Sequence, residues 1–461
     1  MESMFRLSNG QATAKRLKTD SEDYKVCANE CIRLHLFDPS TSSSSWPPSG
    51  LTGSFKPEFT HQIFGDDEEI VGFKGLAVDI YFSQADFQAF VEIAFEDKAY
   101  GATDILSTLQ EHFPGGLTSD KQQFLTVATT KQAGTPLQKL GSPLSIPEVR
   151  KGLSVTQANL AGGSQELKDL HERLQPFLLF FIDGASFLDA DDPKWELLLA
   201  TEHQAGRDVV VGFCTLYTFY AYPDTRRFRL SQILVLPPFQ HKGIGAALLR
   251  AAYVMADKCN AVDVTFEDPT DTLQSLRDLI DLQRAMGCVW LQSAAEQVAA
   301  VWQTADPAAV VGTSGSLRTD SGTNKALADA QKQLRISQQQ ASTSLHMARR
   351  IWEAVLYAQP KVRTDAGLAT LAQLVRRRIE GNSASVKKQA ETKRVFDVAH
   401  QGFIMRKCRG KMPLLPGNGV PVAMENDEQT PEEAEQALTE ALTARITSLD
   451  GQLAKLGILK R

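Results

Sequence analysis

Several things are scarce in this chain of 461 residues, and each scarcity excludes something. There is no apolar run near the roughly 20 residues that a membrane-spanning helix needs; the best, Phe177 to Ile182, is too short. The first residues, Met-Glu-Ser-Met-Phe-Arg, lack the apolar core of a secretory signal, so none is expected. The six cysteines (27, 31, 214, 259, 288 and 408) are scattered. Cys27 and Cys31 have no second Cys or His pair at zinc-ligand spacing, so no metal is expected. Reduced thiols and a nuclear and cytoplasmic location are the default. Charge of one sign is also scarce: the formal net charge is −6. That argues against direct DNA binding and suits a basic peptide partner. What remains, 43% hydrophobic and 23% charged residues, is enough ordinary globular chain for two or three domains.

The pattern along the chain predicts an α+β protein. Residues 1–21 read as a disordered tail, with Lys15, Arg16 and Lys18 close together. Residues 22–163 alternate strand-like and helix-like pieces and read as an N-terminal mixed α/β domain, with strands at Ile32–Phe37 and Gly75–Phe82 and a Ser/Pro-rich loop over Ser40–Gly50. A central domain over 164–303 opens with a helix from Gln165 to Leu174 that Pro176 should end, followed by a buried strand over Phe177–Ile182. Further strands are expected at Trp195–Thr201, Val209–Tyr220, Leu230–Leu236 and Val262–Phe266. Residues 304–325 read as a linker. Residues 326–461 read as a helical C-terminal region, ending in a helix that starts at Thr430-Pro-Glu-Glu433 and carries an apolar stripe of Leu438, Leu442, Ile446, Leu449, Leu453 and Leu456. Packing of that stripe within its own domain is favoured over a partner helix.

The most informative stretch runs from Arg229 to Arg250. A β-prone run, Leu230–Leu236, stops at Pro237-Pro238. A polar turn, Gln240-His-Lys-Gly-Ile-Gly-Ala246, follows, and then Ile244, Leu248, Leu249, Ala252 and Met255 repeat at helical spacing. A strand, a glycine turn and a helix in this order aim backbone N–H groups and the positive end of a helix dipole at one point, which suits a phosphate. A dinucleotide fingerprint would need glycine where Leu248 stands, and a P-loop would need Gly-Lys-Ser/Thr; both are absent. A plain glycine-softened turn remains the bland alternative. The pattern Gln240-x-x-Gly243-x-Gly245-Ala246 resembles the pyrophosphate loop of the GNAT acetyltransferase superfamily, which implies acetyl-CoA as co-substrate.

A second feature is Glu267-Asp268-Pro269, where the strand Val262–Phe266 ends and a helix from Leu273 to Met286 is due. Asp268 is well placed as its N-cap, with Pro269 in its first turn. Glu267 stands just past a strand end, as a candidate general base. A lysine amine titrates near 10.4 and must lose its proton before it can attack a thioester, so such a reaction needs a nearby carboxylate.

Taken with Phe59-Thr-His-Gln-Ile-Phe-Gly-Asp-Asp-Glu68, His171-Glu-Arg-Leu-Gln-Pro-Phe177, Ala185-Ser-Phe-Leu-Asp-Ala-Asp-Asp192, Tyr222-Pro-Asp224 and Thr265-Phe-Glu-Asp-Pro269, the chain resembles the type B histone acetyltransferase catalytic subunits. A fainter echo continues through Ala348–Glu353 and Leu374–Ile379. The resemblance implies a central GNAT domain with a splayed mixed sheet. It implies acetyl-CoA contacts from the backbone of Ile233, Leu234 and Val235, from Gln240, His241, Lys242, Gly243, Ile244, Gly245 and Ala246, and from Thr270. It implies a catalytic set of Glu267, Asp268 and Asp183, although glutamate is the more usual residue where Asp183 stands. It implies histone H4 tail contacts from Asp66, Asp67, Glu68, Trp195, Tyr222, Pro223 and Asp224, and a WD40-propeller histone chaperone as partner. A solvated turn is the bland alternative for the acidic run, and core packing for Trp195. Besides a lysine acetyltransferase of free histone H4, two other functions fit the residues: an acyl-CoA-dependent histone carrier with weak catalysis, or a transferase for another amine.

Overall fold

The computed structural model describes residues 24–38, 51–130, 139–204, 207–302, 345–391, 395–397, 402–404 and 431–458. The expected tail (1–21), the loop Ser40–Gly50, the linker (304–325) and the helical expectation for 326–344 lie outside them. The chain forms two compact units, Met1–Asp268 and Pro269–Arg461.

The first unit contains two large sheets. In the first, strands β1 (Ile32–Phe37), β2 (Leu51–Phe55), β3 (Ala77–Ser83), β4 (Ala89–Ala94) and β5 (Leu117–Thr118) lie in the order β2-β1-β3-β4-β5, with β1 and β3 parallel. These strands are rich in Ile, Val and Phe, which fit a pleated surface. Leu34, Leu36, Ile80 and Phe82 are all fully buried. The short helix α1 (His61–Phe64) follows β2, and α2 (Lys121–Thr130) lays Phe124 against Phe37 and Phe90.

Helix α3 spans Gln165–Phe181, with Ser164 accepting from the N–H of Leu167 at 3.3 Å as its cap. This corrects the expected helix, stop and strand: Pro176 lies inside α3, and Phe177–Phe181 is its last turn and not a buried strand. A proline in a helix costs about 3 kcal/mol. Four side chains beyond it, Phe177, Leu178, Leu179 and Phe180, are buried. Each such burial is worth about 1.5–3 kcal/mol, so packing outweighs the break.

The second sheet holds β6 (Ser142–Pro143), β7 (Leu153–Asn159), β8 (Trp195–Gln204), β9 (Arg207–Ala221), β10 (Thr225–Val235) and β11 (Ala261–Phe266), in that order. All its pairings are antiparallel except β10 with β11, which is parallel. A parallel neighbour needs a crossover, and α4 (Ile244–Lys258) provides it. The apolar face of α4 (Ile244, Leu248, Leu249, Ala252 and Met255) is buried, as its spacing predicts.

The second unit is mostly helical: α5 (Asp271–Met286), α6 (Val289–Trp302), α7 (Leu345–Ala358), α8 (Asp365–Glu391) and α9 (Pro431–Lys455). The cap of α5 is Thr270, whose hydroxyl accepts from the N–H of Leu273 at 3.3 Å, so the expectation that Asp268 caps it is corrected. Asp268 instead has a φ of 32°, outside the extended conformation a cap requires. The α9 stripe packs within its own unit: Leu449 and Leu453 are fully buried, and Leu442, Ile446 and Leu456 pack on the same cluster as Ala295, Trp302 and Val355.

Among the described residues no helix is long and apolar enough to cross a membrane.

Candidate active site

The site is built from a fault in the second sheet. Across β9 and β10, Leu216 pairs with Leu230 and Thr215 with Gln232, which leaves Ser231 as an extra residue on β10. This is a β-bulge, and bulges bend strands and re-aim side chains. On the other side of β10, the last pair with β11 is Leu230 with Phe266, and the N–H of Glu267 donates to the carbonyl of Leu230 at 3.0 Å. Beyond that point β10 continues to Val235, and among the described residues no strand pairs with its outer edge. The two strands splay at the bulge.

The N–H of Leu236 donates to Val211 at 3.0 Å, on the β9 side. Backbone groups alternate along a strand, so those of Leu234 also face β9, while those of Ile233 and Val235 face the gap. The open edge is therefore offered by Ile233 and Val235. The carbonyl of Val235 accepts from the Gln240 side chain at 3.1 Å.

At the far end of β10, Pro237–Phe239 forms one turn of 3-10 helix and leads into the glycine turn. Gln240, His241, Lys242 and Gly243 are exposed, while Ile244 is buried beneath them. Gly243 caps α4 with φ 79° and no side-chain capping bond. That left-handed conformation favours glycine. The first N–H groups of a helix have no partner within it, and a glycine cap has no side chain to supply one. Lys242 reaches back to the Pro238 carbonyl at 2.9 Å, with its ammonium 5.3 Å from the centre of the Phe239 ring. Together with the gap beside Ile233 and Val235, these amides fit the diphosphate and the amide-bearing arm of a coenzyme A thioester. Gly245 and Ala246 lie in the first turn of α4.

Glu267 stands where β11 leaves β10, with its side chain 46% exposed. Its carboxylate accepts from the hydroxyl of Ser231, the bulged residue. The Arg229 guanidinium lies 3.9 Å from it and 4.8 Å from the Phe219 ring. Phe219 meets Tyr217 edge-on at 4.7 Å, and Tyr217 meets Trp195 in the same way at 4.7 Å. Trp195 is half-buried, neither enclosed in the core nor free. A row of aromatic side chains on two adjacent strands, β8 and β9, thus leads to the arginine on β10 beside Glu267.

The other predicted residues are spread more widely. Asp183 follows the C-terminus of α3, 74% exposed, with its carboxylate 3.3 Å from the His61 ring. The loop after it is tied down at 2.6 Å by Gln62, which donates to the Ala185 carbonyl, and at 2.8 Å by Gln232 on β10, which donates to Ser186. Asp66 and Asp67 are exposed. Glu68 is engaged: its carboxylate accepts from the backbone N–H groups of Thr60 at 2.7 Å and His61 at 3.0 Å, and from the Asn29 amide at 2.5 Å. The Thr60 N–H, with the others, holds this carboxyl below the usual carboxylate range. Tyr222, Pro223 and Asp224 form the exposed turn between β9 and β10, with Tyr222 88% exposed. Asp268 is exposed, and Thr270 caps α5.

Sequence reasoning missed Ser231, Arg229, Gln232 and His61. A signal for the first was present: Ser231-Gln232 places two polar residues in succession in a strand that should alternate, which is what a bulge does to a pattern.

A family model described as "Histone acetyl transferase HAT1 N-terminus" matches residues 24–183, and one described as "Acetyltransferase (GNAT) family" matches residues 166–276. The histone acetyltransferase type B catalytic subunit of Rattus norvegicus is 33% identical over 243 residues, covering 49% of this chain and 57% of that protein. Its counterpart in Arabidopsis thaliana is 31% identical over 291 residues, covering 59% and 60%. That of Zea mays is 30% identical over 298 residues, covering 60% of each. The chain thus spans about three fifths of the length of these curated relatives. With the second of these matches lying over the splayed second sheet, the chain carries a GNAT acetyltransferase fold, and the relatives it is similar to are type B histone acetyltransferase catalytic subunits.

Proposed function

We propose that this protein transfers the acetyl group of acetyl-CoA to a lysine in the N-terminal tail of free histone H4. One observation carries the proposal: a carboxylate, Glu267, at the point where β11 parts from β10, beside the open edge of β10 that leads to the glycine-capped start of α4. Acetyl-CoA supplies an acyl group activated as a thioester. The chain's residues do the rest. The amides at the start of α4, with those of His241 to Gly243, hold the diphosphate, and Ile233 and Val235 extend the sheet onto the amide-bearing arm. Glu267 takes a proton from the incoming lysine amine, directly or through a water, and the freed lone pair attacks the thioester carbonyl. The C–S bond breaks, and the departing thiolate takes up the second proton, which the amine nitrogen sheds as the amide forms. The Ser231 hydroxyl fixes the carboxylate that receives the first proton.

Asp183 and Asp268 are proposed as assisting acids, and Thr270 as a further cofactor contact. The exposed pair Asp66 and Asp67 suits a basic tail, as do Trp195 and the Tyr222–Asp224 turn. Glu68 contributes by keeping α1 and that acidic turn in place. A WD40-propeller histone chaperone is the proposed partner, and the nucleus and cytoplasm the proposed location.

A mass-shift acetylation assay with an H4 tail peptide tests the proposal. Acetyl-lysine product is expected from the wild-type chain, and Glu267→Gln should keep its affinity for CoA while losing about 10²–10⁴ in turnover at neutral pH. Undiminished turnover in that variant removes Glu267 from the chemistry. Stoichiometric binding of peptide without product makes the protein a carrier, and turnover on polyamines alone makes it a small-amine transferase.

A further inference from the structure

Gly53 lies in β2, an edge strand of the first sheet. Its backbone is in the ordinary strand conformation, so nothing in its dihedral angles asks for glycine. Glycine inside a strand weakens it and often marks a place where another backbone comes close. Here it is the ring of Pro238 that comes close: a β-carbon on residue 53 would stand 2.4 Å from Cγ of Pro238 and 3.0 Å from its Cβ. Unbonded carbons prefer about 3.5–4.0 Å. The proline ring is closed onto its own backbone, so it cannot rotate aside as a flexible side chain would.

Pro238 stands at the root of the glycine turn. It is the middle residue of the Pro237–Phe239 turn, and its carbonyl accepts from Lys242 at 2.9 Å. The neighbouring Pro237 carbonyl accepts from the N–H of Gln240 at 3.2 Å. A displacement of Pro238 is therefore handed on to residues 240–243. We propose that Gly53 is a positioning residue for the cofactor loop: the N-terminal sheet offers bare backbone as a seat for Pro238 and so fixes where the loop's amides point. This rests on the acetyl-CoA role proposed for that loop.

The test is calorimetric binding of CoA to the full chain carrying Gly53→Ala, Gly53→Val or Gly53→Ala with Pro238→Ala, beside wild type. The Gly53→Ala variant should bind CoA roughly tenfold more weakly, since misplacement by about 1 Å can cost more than that, and valine should be worse. In turnover assays the loss should appear in KM for acetyl-CoA more than in kcat, with KM for the tail peptide unmoved. Pro238→Ala removes the ring carbon at 2.4 Å and should recover most of the Gly53→Ala loss, which general destabilisation would not allow. Wild-type affinity in Gly53→Val overturns the inference and leaves the acetyl-CoA role intact, as does a double variant no better than Gly53→Ala. A wild-type chain that binds no CoA overturns both.

Discussion

The Ser231 hydroxyl reaches the Glu267 carboxylate because a bulge takes residue 231 out of register with β9. Bonds of this kind fix the direction of a base as well as its presence. Ser231→Ala is expected to lower kcat about tenfold with little change in KM for acetyl-CoA, the cost of one lost bond to a charged group. Ser231→Thr, which keeps the hydroxyl, should recover part of it; steady-state kinetics on the tail peptide decide. His171 is a different case. It lies fully buried in α3, and among the described residues neither ring nitrogen has a hydrogen-bond partner. Burial pushes its imidazole down from 6.5 to about 4. Above pH 6.5 the ring is neutral folded or unfolded, so its contribution to stability is fully present there. As the pH falls toward 4, the unfolded chain binds a proton that the folded chain refuses, and stability is lost across that window. The loss should reach about 2 kcal/mol at pH 5. Urea unfolding at pH 7 and pH 5 checks this, and His171→Leu should show a shallower dependence.

Among elements, α3 shows how far sequence punctuation can mislead. Pro176 is a valid stop by local rules, yet the last turn of the helix buries too much aromatic surface to give up. The strands of the second sheet were more legible, since Val262–Phe266 falls within one residue of β11, and Leu230–Leu236 takes in the second half of β10, which begins earlier, at Thr225. The helices of the second unit enclose charges that local patterns do not announce. Asp278 on α5 meets Arg350 on α7 and Arg445 on α9, and Glu353 on α7 meets Arg378 on α8 and Arg445. Burial would raise the Asp278 carboxyl, but Arg350 and Arg445 outweigh it and hold it below the usual range. Breaking such a network strands buried cations. Glu353→Gln is expected to destabilise by about 3–5 kcal/mol, read as a fall in the denaturation midpoint. A near-neutral result would mean that Arg378 and Arg445 find other partners.

At the scale of the whole molecule, the first unit alone joins an N-terminal sheet, a splayed second sheet and the glycine turn. If the loop and the open edge of β10 are formed before ligand arrives, CoA binds the folded chain and not the unfolded one. CoA at a hundred times its dissociation constant should then add about 2.7 kcal/mol of stability. Thermal unfolding with and without CoA measures it; no shift would mean that the site is not preformed or does not take CoA.

The motif at Gln240–Ala246 and the acid pair Glu267-Asp268 were readable in one dimension, because a glycine turn between strand and helix and a strand-end carboxylate depend on neighbours a few residues apart. The α+β class and the two apolar helix faces were readable for the same reason. What only the tertiary structure decided are matters of long-range approach. The bulge brings Ser231 to Glu267, 36 residues on. Glu68 is given to capping α1, Arg229 is set between an aromatic ring and a carboxylate, and Gly53 receives Pro238. Local propensity acts over a turn of chain, whereas these placements depend on how whole sheets twist and pack, and no short window of sequence contains that.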